Sequence, residues 1–252
     1  MKFHHLNASM LTFRAHVLFG VLLFTSCSDD NADRPELINK LRAIGVEQNP
    51  VNSKPGDTVN LTFYLAGPSL QQLTSTVLTD SDMRYGVALP VLPIDAAPVE
   101  KAVGPISVYT YRATLIVPQN EVVNLAIAKQ GFARIRYDVK FSAGSDSETV
   151  VGDSIIYAAG SPQLEWKAPE ITITKPSATA NSGIIDLDGT IGSSANETNK
   201  VGWFVSSGKV KSRRAKTTSW TNTSAGSQAV IMTARGVKSG AFSIKYQDVT
   251  IN

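Results

Sequence analysis

The chain has 252 residues, of which 42% are apolar and 18% charged. That supplies material for one large core or two ordinary ones and excludes wholesale disorder. Lys and Arg number 24 against 21 Asp and Glu, too even a balance for a dedicated nucleic-acid binder. All three histidines (His4, His5, His16) and the single cysteine, Cys27, fall within the first 27 positions.

At the N-terminus, Lys2 and Arg14 are the only charges before position 29. The apolar run Val17 to Phe24 is far shorter than the ~20 residues a spanning helix needs, so it reads as the apolar region of an export signal. Thr25, Ser26 and Cys27 follow it. This stretch resembles a bacterial lipobox, with Phe24 where that family usually has Leu. The resemblance implies cleavage after residue 26 and a diacylglyceryl group on the Cys27 sulfur, tethering the protein to a membrane. The alternative is an ordinary cleaved signal with an incidental cysteine. Met10 is a second candidate start. Each buried lipid methylene contributes ~0.8 kcal/mol, so two or three chains anchor stably. Residues 27–40 open with polar and acidic side chains and read as a solvated tether. No Asp directly follows Cys27, which under the family's sorting pattern implies the outer membrane.

Without residues 1–26 the chain carries 22 basic and 21 acidic residues and no histidine. A Ser-His-Asp triad, a His-ligated metal, a disulfide and a thiolate zinc site are thereby excluded. Carboxylate chemistry, Ser-Lys chemistry and calcium binding by oxygen ligands survive. No sequence feature marks a buried catalytic lysine, so no enzyme activity, cofactor or metal is expected.

Along the remaining chain, Pro35 to Ala43 is the one segment with helical character, Pro35 lying near the first turn. The rest alternates as half-buried strands do. Val59, Leu61, Phe63 and Leu65 share a face, as do Tyr109, Tyr111, Ala113, Leu115 and Val117. Ile135, Tyr137, Val139 and Phe141 oppose four charged residues. Gln71 to Pro105 reads as an insert of loops and edge strands. Ile185, Leu187 and Ile191 point inward. Phe242, Ile244 and Tyr246 alternate, then Val249 and Ile251 continue out of phase, which predicts a bulge near Gln247-Asp248. Turn residues separate the runs, and the proline-bearing stretch 162–168 lacks alternation. The expected fold is therefore all-β: two tandem sandwiches, 41–161 and 169–252, with 162–168 as linker and the second sandwich outermost from the lipid.

Leu41-Arg42-Ala43-Ile44-Gly45-Val46 followed by Pro55-Gly56-Asp57-Thr58-Val59-Asn60-Leu61 resembles the first hairpin of bacterial immunoglobulin-like modules. Pro169-Glu170-Ile171-Thr172-Ile173, with Trp203 in Val201-Gly202-Trp203-Phe204-Val205, resembles PKD-like repeats of envelope lipoproteins, although Ser207-Gly208 replaces their usual Asp-Gly. The resemblance implies spacer, adhesion or binding roles, through an unknown protein partner.

Candidate sites remain. Lys209, Lys211, Arg213, Arg214 and Lys216 place five cations within eight residues. They could grip phosphates of lipopolysaccharide or another envelope glycan, anionic lipid headgroups or nucleic acid; alternatively they are a solvated edge strand whose lysines deter aggregation. On a strand, Lys209, Lys211 and Arg213 would share a face. Trp220 is either core or a sugar-stacking platform beside them. Trp203 reads as core, and Trp166 as lying near the domain boundary. Asp186 and Asp188 share a strand face, and Asp146, Glu148 and Asp153 form a second acidic group in an expected hairpin loop. The first is a calcium or carboxylate-pair candidate against a plain solvent-facing strand, and the second a weak calcium candidate.

Overall fold

The computed structural model describes residues 34–69, 72–78, 87, 90, 92–192 and 197–252. The expected export signal and Cys27 lie outside the described residues, as does part of the 71–105 insert. The first half contains β1 (Arg42–Asn49), β2 (Asn52–Ser53), β3 (Thr58–Gly67), β4 (Thr74–Leu78), β5 (Val99–Val103), β6 (Ile106–Ile116), helix α1 (Glu121–Gln130), β7 (Ala133–Ala143) and β8 (Asp146–Ile156). After a short 3-10 turn at Pro162–Glu165 come β9 (Glu170–Lys175), β10 (Thr179–Ala180), β11 (Gly183–Gly192), β12 (Asn199–Val205), β13 (Lys209–Val210), β14 (Thr217–Asn222), β15 (Gly226–Gly236) and β16 (Phe242–Ile251).

These strands form four sheets, ordered β1-β3-β6-β5, β2-β8-β7-β4, β9-β11-β14-β13 and β10-β16-β15-β12. The wiring of the first half repeats in the second. In immunoglobulin lettering each half is an A-B-E-D sheet on an A′-G-F-C sheet. The A strand ends at a cis peptide in both halves, Asn49-Pro50 and Lys175-Pro176. Beyond it the chain changes sheets and runs parallel to the last strand, β2 beside β8 and β10 beside β16. The chain is thus all-β, built as two immunoglobulin-like sandwiches.

The expected inward faces form the cores. Phe63, Tyr111, Tyr137 and Phe141 fill the first, with Phe63 and Phe141 centroids 5.7 Å apart and Tyr111 and Phe141 5.1 Å apart. Trp203, Trp220, Leu187, Met232 and Val249 fill the second. Trp203 takes the strand-C position where immunoglobulin domains bury a tryptophan against a disulfide. Here buried Leu187 on β11 and Met232 on β15 share that core, with no cysteine on either strand.

Residues 35–43 form no helix. Glu36 to Ile38 instead runs parallel to the edge strand β12: Ile38 N–H donates to Val205 O and Val205 N–H to Glu36 O, each at 2.9 Å. Leu41 goes to the first core and Ile38 to a different cluster, a split that one helical face would not allow. The helix that forms, α1, has local signals at both ends. The Asn120 side chain accepts from Val123 N–H at 3.0 Å, and Gly131 closes the helix at φ 80°. Its periodicity is weak because Val123 is its one buried residue.

No bulge interrupts β16. Its register with β15 is continuous from Phe242 to Ile251. The change of phase has another cause. Phe242, Ile244 and Tyr246 face the first sandwich, whereas Val249 and Ile251 face the second core. A single regular strand serves two apolar surfaces.

Those surfaces meet in a third cluster. Ile44, Ala66, Ile106 and Val108, on the outer face of the β1-β3-β6-β5 sheet, pack against Phe204, Ala229, Ile231 and Phe242 on the outer face of the β10-β16-β15-β12 sheet. The sandwiches therefore lie sheet against sheet. Two glycines permit the approach. A side chain at Gly45 would overlap the Phe242 ring. At Gly104, φ +57°, a Cβ would lie 2.8 Å from the Gln228 carbonyl carbon. Removing the Phe242 ring (Phe242→Ala) should cost ~3–5 kcal/mol and split one melting transition into two, as calorimetry would show.

Tyrosines supply a second readout. Burial pushes the Tyr137 phenol well above its ordinary value of 10.0, and burial together with the Glu47 carboxylate, 2.8 Å away, does the same for Tyr64. These phenols ionise more readily in the unfolded chain. Their contribution to stability is complete below pH 10.0 and falls as pH rises beyond it. The urea midpoint should therefore drop above that pH, with a smaller drop in Tyr64→Phe.

Candidate functional site

The five-cation run does not form one strand face. β13 lasts two residues, Lys209–Val210, after which Lys211 N–H donates to Ser219 O at 2.8 Å and Ser212 N–H to Thr218 Oγ1 at 2.9 Å. The chain then turns, so Arg213 falls out of line with Lys209 and Lys211. Its carbonyl accepts from Trp203 N–H at 3.0 Å, and its guanidinium lies 5.7 Å from the Phe204 ring centre. Lys209, Lys211, Arg214 and Lys216 are exposed, Arg213 half-buried.

Trp220 is no platform. It is fully buried in the second core, and its indole N–H donates to Ser207 O at 2.8 Å. Trp203 is equally buried and donates to Ala215 O at 2.8 Å. Trp166, just past the 3-10 turn, is half-buried. Iodide should consequently quench Trp166 alone, and Trp166→Phe should abolish the quenching.

The acidic candidates are dispersed. Asp186 pairs with Lys175 at 3.4 Å, while Asp188 accepts from Thr217 Oγ1 at 2.8 Å. The β7–β8 turn is only Gly144-Ser145, so Asp146, Glu148 and Asp153 lie along a strand and not in a loop. Glu148 meets Arg42 at 3.9 Å and Asp153 meets Arg134 at 4.0 Å. Among the described residues no group of three or more potential metal ligands converges.

What the structure does assemble is a basic groove along the junction of the sandwiches. One hollow, of about 200 Å³, is lined by Arg213, Arg214, Lys200 and Arg235 above apolar Val46, Phe204 and Phe242. A second, of about 360 Å³, is lined by Lys200, Arg235, Arg134, Lys238 and Asp153. Lys200 and Arg235 border both. Lys209, Lys211 and Lys216 line neither. Lys200 and Arg235 escaped sequence reasoning because they lie 35 positions apart and come together only through the β12–β15 register. That register aligns three outward pairs: apolar Phe204–Ile231, then Gly202–Thr233, then cationic Lys200–Arg235.

No protein-family model and no curated protein matches this sequence. Solved structures similar to it include fibronectin(III)-like modules of Clostridium thermocellum CbhA, at 15% identity and TM-score 0.30, over 82% of this chain and 94% of that one. Domains 4 and 5 of the S-layer protein SbsC match at 12% identity and TM-score 0.23, over 85% and 98%. Yersinia pseudotuberculosis InvD matches at 12% identity and TM-score 0.25, over 82% and 57%. At these scores the sandwich assignment rests on the chain's own sheets and cores.

Proposed function

We propose that the chain is an exported bacterial envelope protein, anchored by lipid at Cys27, whose two sandwiches serve a structural, adhesive or protein-binding role without catalysing a reaction. The observation that carries this reading is the third apolar cluster. It joins two immunoglobulin-like sandwiches through their sheet faces, giving one body with fixed surfaces on both halves. The N-terminal sequence supplies the export and anchoring part: a short apolar run ending in small residues and then the chain's sole cysteine. No helix among the described residues is long and apolar enough to cross a membrane.

A second reading, a binder of envelope glycan or lipopolysaccharide, is favoured by the basic junction groove. It differs from the sequence expectation in its residues. Arg213 and Arg214 remain, Lys200 and Arg235 join them, and Lys209, Lys211, Lys216 and Trp220 drop out.

The anchor is tested by fractionation. Wild-type protein should sediment with membranes and partition into detergent, whereas Cys27→Ala should appear in the soluble fraction. Membrane retention of the variant would refute the lipid anchor.

A further inference from the structure

We infer that the junction groove binds a linear anionic polysaccharide, one carrying sulfate or phosphate esters. The inference deepens the glycan-binding reading, and rests on it for the source of the ligand only.

Three observations converge. The first is a like-charge pair. Lys200 and Arg235 are direct cross-strand partners, which places their Cβ atoms about 5 Å apart, and like charges so placed destabilise a sheet. Both are exposed, and no carboxylate among the described residues lies within ion-pair distance of either. A strand pair that holds two unneutralised cations side by side presents a ready counter-charge to an anion.

The second is the extension of that charge in both directions. Arg213 and Arg214 continue it at one end and Lys238 at the other, beside the Arg134–Asp153 ion pair. The carboxylates near it are engaged: Asp153 faces Arg134 at 4.0 Å, and Glu197 accepts from the backbone N–H groups of Lys238 at 2.6 Å and Ser239 at 2.9 Å. Two hollows that share Lys200 and Arg235 make an elongated track, suited to a chain with repeated charges more than to one phosphate.

The third is the floor. Arg213 stacks over Phe204, which fixes a flexible cation before any ligand arrives. Phe204 and Phe242, both buried in the junction cluster, close the first hollow from below and exclude water beneath the cations.

The test compares two variants of equal charge loss in the full chain held in detergent. The groove variant is Lys200→Ser/Arg214→Ser/Arg235→Ser; the control is Lys209→Ser/Lys211→Ser/Lys216→Ser. All six side chains are exposed, so both should melt as the wild type does. Binding is measured by titration calorimetry against dextran sulfate, phosphorylated mannan, neutral dextran and inorganic sulfate. Wild type should bind one or both charged polymers, with affinity falling as salt rises, and should ignore neutral dextran. Tighter binding of one charged polymer identifies the ester. The groove variant should lose about tenfold or more, as expected for three exposed charge contacts, while the control stays within about twofold. Equal losses would overturn the site in favour of diffuse attraction, and unchanged binding by the groove variant would place it elsewhere. Wild type that ignores both polymers, or binds inorganic sulfate as tightly as either, would overturn the ligand class. Membrane retention of Cys27→Ala would remove the anchor and leave these affinities untouched, so the two readings fail separately.

Discussion

Strand β15 is buried on both faces, and the arrangement of the molecule follows from that. Val230, Met232 and Ala234 point into the second core, while Ala229 and Ile231 point outward into the cluster shared with the first sandwich. An ordinary antiparallel sandwich leaves the outer faces of its sheets to water. Here one outer face from each half is apolar at the same place and is removed from water by the other. The burial is non-directional, so shape fixes the register of the halves. Gly45 and Gly104 let backbone and ring close to contact distance, and Lys101 caps the seam by lying 5.0 Å from the Tyr246 ring centre. With no disulfide in either core, apolar packing of this kind holds the body together.

The sandwich cores were legible in the sequence because half-buried strands alternate with a period of two, and faces such as Ile135–Phe141 could be read without a partner. The junction was less so, although it left traces. Ala229 to Ala234 is nearly continuous in apolar residues, the mark of a strand covered on both sides. The phase change in β16 carries the same message, but a local bulge explains it equally well while the second covering surface is unknown. The Pro35–Ala43 segment misled for a related reason. Its apolar residues serve different neighbours, and spacing alone cannot distinguish that from one helical stripe. For the candidate site, a run of five cations is conspicuous in sequence, yet a turn beginning at Ser212 separates Lys209 and Lys211 from Arg213 and Arg214. The pair that completes the groove depends on long-range register, which no local pattern encodes.

The groove lies where the outer face of the β12–β15 ladder emerges from the junction. Over three cross-strand pairs the ladder passes from ring and branched aliphatic to glycine and threonine to two cations. The gradient has a physical reason. Charges at the first pair would be desolvated against the first sandwich, and apolar groups at the third would face water. The same strands that weld the halves together therefore also fix the backbone positions of the two cations side by side. Arg213, held over Phe204, belongs to both roles.

The pairing of Glu36 to Ile38 with β12 has a mechanical consequence. Two backbone hydrogen bonds and the Ile38 side chain attach this segment to the edge of the second sandwich before the chain turns into β1 of the first. Tension on the chain ahead of Glu36 thus meets the half that is later in sequence first, at the seam. Because the segment runs parallel to β12, a pull along the strand loads both hydrogen bonds together in shear, and a pull away from the sheet opens them one after the other. The chain is thus gripped at the junction itself, where Ile38 joins the cluster that holds the two halves together.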